Sequence, residues 1–341
     1  MLAPMVRAGF TSMRSICLEY GASCVFTDVV IASNIVQSNI YECEDSVLFI
    51  RNNNRVLRLM KHDMQKTIVQ LAGTNVEVFL QATEKLSKYC AGIDINCGCT
   101  KDWTHSCMGA GLLQDKQKLI SLATQLAETC QKHEITSSVK IRLLSTQQET
   151  IQLLDQLFKA GLTFVTVHMR TQQEDREVNQ AHWDEFAAIF QQMENKNIVA
   201  NGDIFDLAAA NQFLSVFEGE KPALMVARGA VRKPSVFQAL NGQEADSTFE
   251  VIEKLYMKSN TENYEWKLVK EEQQLKQVTI DYLNQYKFNE FKTLVMFMLQ
   301  EQKKRPADLD VKQVKELIVS VANLKTFQEF FEQIIVKYCQ K

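Results

Sequence analysis

The chain has 341 residues, enough for about two domains of roughly 150 residues or for one large barrel with an appendage. Its composition, 46% hydrophobic and 23% charged, excludes disordered and fibrous classes, and no apolar run approaches the roughly 18–20 residues of a membrane span. A net charge of −3, from 38 Lys and Arg against 41 Asp and Glu, excludes a protein that coats nucleic acid by bulk charge and leaves RNA only a local patch.

Eight short apolar runs come first in the chain. They are Leu2–Val6, Cys24–Val30, Thr67–Leu71, Ile93–Asn96, Ser138–Arg142, Phe164–His168, Asn197–Ala200 and Ala223–Ala227. Amphipathic helix patterns alternate with most of them, as in Val78–Tyr89, Gln117–Cys130, Glu149–Lys159 and His182–Met193. Strand–helix alternation implies parallel strands, and eight repeats in about 240 residues fit a (β/α)8 barrel. A doubly wound open sheet is the alternative. The first run is short for a barrel strand, which raises the question of an upstream segment.

A boundary is expected near residue 242. All twelve glycines lie between Gly9 and Gly242, and only helical periodicity follows. Apolar faces run through Leu275, Val278, Tyr282, Leu283 and Tyr286, then Phe288, Phe291, Val295 and Met298, then Val314, Leu317, Ile318 and Val321, then Phe327, Phe330, Phe331, Ile334 and Ile335. Residues 1–242 thus read as a barrel and 243–341 as a small helical domain, broken at Arg305-Pro306. From residue 251 onward there are 15 basic and 13 acidic residues, and Lys303, Lys304 and Arg305 are its one local anion-site candidate.

Barrels carry their active sites at the C-terminal strand ends. Here those ends hold Pro4-Met5, Gln70, Asn96 with Cys99, Lys140 with Arg142, His168 with Arg170, Asn201-Gly202-Asp203 and Ala227-Arg228. The last two loops suit a phosphate, with glycine backbone approach and Arg228 charge. The alternative is that Gly202 and Gly229 only turn the chain. Lys140 inside a strand needs a ligand or a buried partner such as Asp94. Gln70 can bond a flavin's pyrimidine edge or merely cap. His168 fits a cofactor contact or a satisfied structural group. An ordinary thiol stays mostly protonated at neutral pH, so Cys99 could serve as a general acid, and a buried structural thiol is its plain reading. Cys97 and Cys99 form CxC, but two sulfurs without correctly spaced histidines are too few for a metal, so none is expected. Nine scattered cysteines and no targeting peptide read as reduced thiols in a cytoplasmic protein.

The ordered segments LAPMVRAGFTSMRSICLEYGA, VQLAG, GIDINCGCT, MGAGLL, VKIR, VHMR, ANGDI and MVARGAVRKPSVF resemble the tRNA-dihydrouridine synthase family, over roughly residues 2–240. The resemblance is closest to the eukaryotic cytosolic branch acting at D-loop uridine 20. It implies an FMN barrel followed by a helical tRNA-binding domain. It implies that NADPH reduces FMN, that reduced FMN gives hydride to uracil C6, and that Cys99 protonates C5. It places Pro4, Met5, Gln70, Lys140, His168, Asn201, Gly202, Asp203, Ala227 and Arg228 at the cofactor, and Asn96, Arg142 and Arg170 near the uridine or RNA backbone. The chain departs from the family pattern at Thr100, at His105, Ser106 and Cys107 in a loop one residue short, and at Met169. A flavin barrel acting on a free pyrimidine and a tRNA-binding or tRNA-folding protein with weakened catalysis are the competing readings. Oligomeric state and donor preference are not readable from the residues.

Overall fold

The computed structural model describes residues 1–52, 54–98, 110–175, 177–261, 277–304 and 308–339. After the segment at Leu2, its strands in chain order are β1 (Val25–Phe26), β2 (Val30–Ile31), β3 (Asn39–Glu42), β4 (Ser46–Arg51), β5 (Asn54–Met60), β6 (Thr67–Ala72), β7 (Gly92–Asn96), β8 (Thr136–Arg142), β9 (Phe164–His168), β10 (Ile198–Asn201) and β11 (Ala223–Met225). The main sheet runs β1-β6-β7-β8-β9-β10-β11, with β2 also on β6, and all its pairings are parallel. Leu2 bridges Val25 on one side and Val226 on the other. Its N–H donates to Cys24 O at 3.0 Å, and the Ala3 N–H donates to Val226 O at 2.9 Å. The sheet therefore closes on itself, which rules out the open doubly wound alternative.

The pleat decides what lies inside. Gln70 pairs with Asp94, Asp94 with Ser138 and Ser138 with Phe164, so even-numbered residues of β6–β9 share the inner face. Ala3, Phe26, Ile68, Phe164, Val199 and Met225 form an apolar plug there. Odd-numbered neighbours such as Val69, Ile93, Val139 and Val165 face outward into the larger core.

Helices cover that outer face. They are α1 (Thr11–Glu19), α2 (Ala32–Val36), α3 (Val76–Leu86), α4 (Ala110–Gln114), α5 (Lys116–Lys132), α6 (Gln147–Lys159), α7 (Trp183–Gln192) and α8 (Leu207–Leu214). Asn75, Asp115, Thr146 and Asp206 each accept a backbone N–H three residues ahead, which fixes where α3, α5, α6 and α8 begin. Such a cap contributes about 1 kcal/mol. Between α7 and α8, the rings of Trp183, Phe186, Phe190, Phe213 and Phe217 pack edge-on, tilted or stacked at 5.2–6.5 Å between centroids.

The antiparallel sheet β3-β4-β5 falls between the expected strands Cys24–Val30 and Thr67–Leu71, where the sequence shows no strand pattern. The reason is local. Val47, Leu48 and Phe49 of β4 are all buried, so no alternation shows, and a register shift between Phe49 and Ile50 breaks the period. The Asn-rich run at 52–54 was the available turn signal, and Asn52 adopts φ of 48° there.

Beyond β11 come α9 (Arg228–Arg232), α10 (Val236–Leu240), α11 (Thr248–Thr261), α12 (Gln277–Lys304), α13 (Val311–Asn323), α14 (Phe327–Phe330) and a π-type segment Phe331–Cys339. The expected faces are buried at Phe288, Phe291, Val295, Met298, Val314, Leu317, Val321, Phe330, Ile334 and Ile335. Leu275 and the Arg305-Pro306 break lie outside the described residues. The tail is joined to the barrel by polar contacts. Gln302 donates to Thr248 Oγ1 at 2.8 Å and to Arg232 O at 3.2 Å. Glu290 of α12 forms an ion pair with Arg55 of β5.

Candidate functional site

The inner face of the barrel turns polar toward the C-terminal strand ends. Asp94 is fully buried, accepting from Ser138 Oγ at 2.6 Å and from Gln70 Nε2 at 2.8 Å. Asn96 Nδ2 donates to Gln70 Oε1 at 2.7 Å. A carboxylate only accepts, so Asp94 fixes the orientation of the Gln70 amide, and through it that of Asn96. Burial pushes the Asp94 carboxyl up to about 6, against its bonds to Ser138 and Gln70 and the nearby charge of Lys140. Lys140 pairs in register with Asn96 and with Thr166. It thus faces the interior with Asp94 as a charge partner, and both readings of this lysine, ligand contact and buried pair, describe one location.

Above this layer sits a cationic ring. His168 ends β9, opposite Arg142 and Asn201 in register. Burial holds its pKa well below the usual histidine range, and the charges of Lys140, Arg142, Arg170 and Arg228 push the same way. The imidazole is therefore neutral near pH 7, within a cluster of four cations. Arg170 is itself almost wholly buried, donating to Asp203 Oδ2 and, at 2.8 Å, to Asn179 O. Arg228 donates to Asp203 Oδ1 at 2.8 Å and lies over the Phe205 ring.

Asp203 thus orients both arginines, and it also accepts from Ala181 N at 2.9 Å. Asn201 donates to Met225 O at 2.9 Å, tying β10 to β11. Gly202 has φ of 141°. Gly229 is packed so closely that an added Cβ would meet Ile204 O at 2.6 Å and Phe205 O at 2.8 Å. Both glycines are required by the loop geometry itself. Pro4, Met5 and Ala227 are half-buried at the rim.

Arg142 spends its guanidinium on the chain, donating to Gly98 O at 2.9 Å and Thr171 O at 2.7 Å. It anchors the start of the loop after β7 to the loop after β9. Met169 is fully buried, on the side of β9 away from the interior, and its Cε reaches the space beside Gly202. Lys303 is exposed near the end of α12, and Lys304 ends that helix. Arg305, Cys99, Thr100, His105, Ser106 and Cys107 lie outside the described residues. Cys97 is buried, with a thiol pKa raised well above its ordinary value by desolvation. Among the described residues no group of three or more His, Cys, Asp or Glu has the geometry to hold a metal. No described helix is long and apolar enough to cross a membrane.

Arg170 and Arg228 held by Asp203, His168 at the end of β9, and close-packed glycines after β10 and β11 bring cationic and backbone groups of the kind that suit a phosphate to these strand ends. The buried Thr166 hydroxyl, without a partner among the described residues, adds a polar atom on the inner face.

The family model described as dihydrouridine synthase matches residues 1–321. The chain belongs to the dihydrouridine synthase family. Among curated relatives, the tRNA-dihydrouridine(20) synthase [NAD(P)+] of Schizosaccharomyces pombe is 30% identical over 249 residues, covering 70% of this chain and 51% of that protein. The tRNA-dihydrouridine(20) synthase [NAD(P)+] of Saccharomyces cerevisiae is 32% identical over 272 residues, covering 74% of this chain and 69% of its own length. A human tRNA-dihydrouridine(20a/20b) synthase [NAD(P)+]-like protein is 27% identical, covering 69% of each. The chain thus spans about half the length of the fission-yeast dihydrouridine synthase and about two thirds of the other two. Of solved structures, a DHODH from Eimeria tenella in complex with ferulenol aligns with a TM-score of 0.48 at 11% identity, covering 74% of this chain and 81% of that one. A likeness of that size adds nothing to the topology described above.

Proposed function

We propose that this chain is a tRNA-dihydrouridine synthase that uses FMN and takes electrons from NADPH, with a D-loop uridine, position 20, as its target. The single observation that carries the reading is the pair Arg170 and Arg228 held by Asp203 beside the glycine turns at Gly202 and Gly229, with His168 at the neighbouring strand end. The two yeast relatives named for position 20 support the choice of uridine. When bound, FMN supplies the hydride that uracil C6 receives. The rest is the work of the protein. Arg228, with the backbone at Gly202 and Ala227, faces the phosphate. Gln70, oriented by Asp94, presents its amide to the ring edge. Asn96 stands beside Lys140 at the mouth, where a base drawn out of its stack enters. Cys99 is the proposed acid at C5, and a positioned acid is worth about 10²–10⁴ in rate.

On this reading residues 1–242 are the catalytic barrel and 243–341 the RNA-binding helical part, with Lys303, Lys304 and Arg305 contributing to the grip, in a cytoplasmic enzyme. The test is to incubate the protein with FMN, NADPH and tRNA lacking dihydrouridine, and to map dihydrouridine by mass spectrometry. Dihydrouridine at one D-loop position, lost in Cys99→Ala with flavin retained, is the expected result. A yellow, tRNA-binding protein that forms none overturns the catalytic reading.

A further inference from the structure

Asp94 stands fully buried on the inner face of the barrel, one step along β7 below Asn96. The same strands bury Val69, Ile93 and Val139 on their outer face, and the plug inside the barrel is apolar. A strut between β6, β7 and β8 needs no charge, and an apolar side chain of similar volume would serve it at less cost. A carboxylate kept at this depth therefore does more than hold strands together.

What it adds is direction. Gln70, Asp94 and Ser138 are register partners on three neighbouring strands, so their side chains meet at one level of the interior. Ser138 Oγ donates to Asp94 Oδ1 at 2.6 Å, and Gln70 Nε2 donates to Oδ2 at 2.8 Å. Gln70 Oε1 in turn accepts from Asn96 Nδ2 at 2.7 Å. The Gln70 backbone is pinned as well, its N–H donating to Thr27 Oγ1 at 3.2 Å. An ionised carboxylate has no hydrogen to give. Turning the Gln70 amide over would set carbonyl oxygen against carboxylate oxygen on one side and NH2 against NH2 on the other. The two ends of a glutamine amide are equal in shape and opposite in chemistry, and here their order is dictated from Asp94 upward. After these bonds the amide retains one N–H toward the Asp94 side and one lone pair toward the Asn96 side. That order of donor and acceptor matches an imide edge, a ring N–H beside a ring carbonyl, in one sense only.

We propose that Asp94 is a positioning residue for the cofactor, setting the order of donor and acceptor that Gln70 shows to the imide edge of the flavin ring. It touches neither ring nor substrate and acts only through Gln70. The assignment rests on the flavin reading above.

Flavin-free protein would be titrated by calorimetry with FMN, 2-thio-FMN and 4-thio-FMN, at a pH where the carboxylate is ionised. Sulfur is a poor acceptor, so the wild type should bind FMN more tightly than at least one thio analogue. Asp94→Asn keeps an acceptor for Gln70 in its Oδ1 and turns its Nδ2 to Ser138 Oγ, so it should match the wild type in affinity and in preference for oxygen. Asp94→Ala frees the amide. It should bind FMN roughly ten-fold more weakly, the worth of one hydrogen bond, and lose the preference. Both variants remove the charge and only one removes the order, so a purely electrostatic role would move them alike. If Asp94→Ala does not fold, Gln70→Met, which leaves Asp94 its bond from Ser138, should show the same two losses. Equal behaviour of Asp94→Asn and Asp94→Ala overturns the proposal, as does a wild type indifferent to sulfur at both positions. So does an oxygen preference that survives in Asp94→Ala or Gln70→Met. Unchanged FMN affinity in Asp94→Ala with a raised KM for tRNA would give the relay to the imide edge of uracil and overturn it too. A wild-type protein that binds no FMN would instead remove the flavin reading on which the assignment stands.

Discussion

Replacing Asp94 with Asn isolates the electrostatics of the barrel floor. The carboxyl is fully buried, and its folded-state pKa of about 6 stands above the ordinary 3.8. Between those values the folded form keeps a proton that the unfolded chain has released. Stability therefore falls as pH rises through this window and is level above it. A difference of about 2 units at 1.36 kcal/mol each comes to about 3 kcal/mol. Asn cannot titrate and fills the same volume. The assay is denaturant unfolding of both proteins between about pH 4 and pH 7, with the two stabilities subtracted at each pH. The wild type should lose about 3 kcal/mol relative to Asp94→Asn across that range. A flat or rising difference would refute the buried-carboxylate argument, because it would mean that Asp94 ionises in the folded state as easily as in water.

The remaining predictions concern the rim and the tail. Gly229→Ala drives a Cβ into the backbone at Ile204 and Phe205, so it should cost about 1–3 kcal/mol and weaken flavin retention, read by thermal unfolding and by absorbance after desalting. The His168 imidazole should show no titration near 6.5 in the flavin-free protein, and added inorganic phosphate should raise its pKa by offsetting the four cations; nitrogen NMR of the ring checks both. Phe291→Ala removes a ring packed 4.7 Å from Phe330 and 6.1 Å from Tyr256, and should cost about 3–5 kcal/mol in denaturant unfolding. A loss below about 1 kcal/mol would show that the tail's core is not cooperative with the barrel.

The barrel was legible because each strand is a short apolar run between glycine or polar breaks, and because the special residues recur at strand ends. β6, β7, β8, β9 and β10 all appear within two residues of their sequence positions, whereas the expected Leu2–Val6 strand is reduced to a bridge at Leu2. The antiparallel sheet was not legible, since β4 is apolar on both faces and carries an irregular register. The site was legible as a set of residue types and much less as a set of roles. Sequence cannot show that Asp203 is taken up by two arginines, or that Arg142 is taken up by backbone carbonyls, because those contacts join strand ends 25 to 44 residues apart. The same holds for arginines that meet only across the fold. Arg14 and Arg58 lie 44 residues apart in the chain and meet only when the hairpin folds over α1.

The way the sheet closes has a consequence for the order of assembly. The segment at Met1–Ala3 is the keystone between β1 and β11, and its bond from Met1 to Leu224 spans 223 residues. A growing chain therefore exposes two unpaired strand edges until nearly the whole barrel has been synthesised. Long-range closure of this kind is slow, and open edges recruit neighbours. Closure of the sheet thus waits on the last strand to be made, and one short stretch of backbone beside β1 decides when it happens.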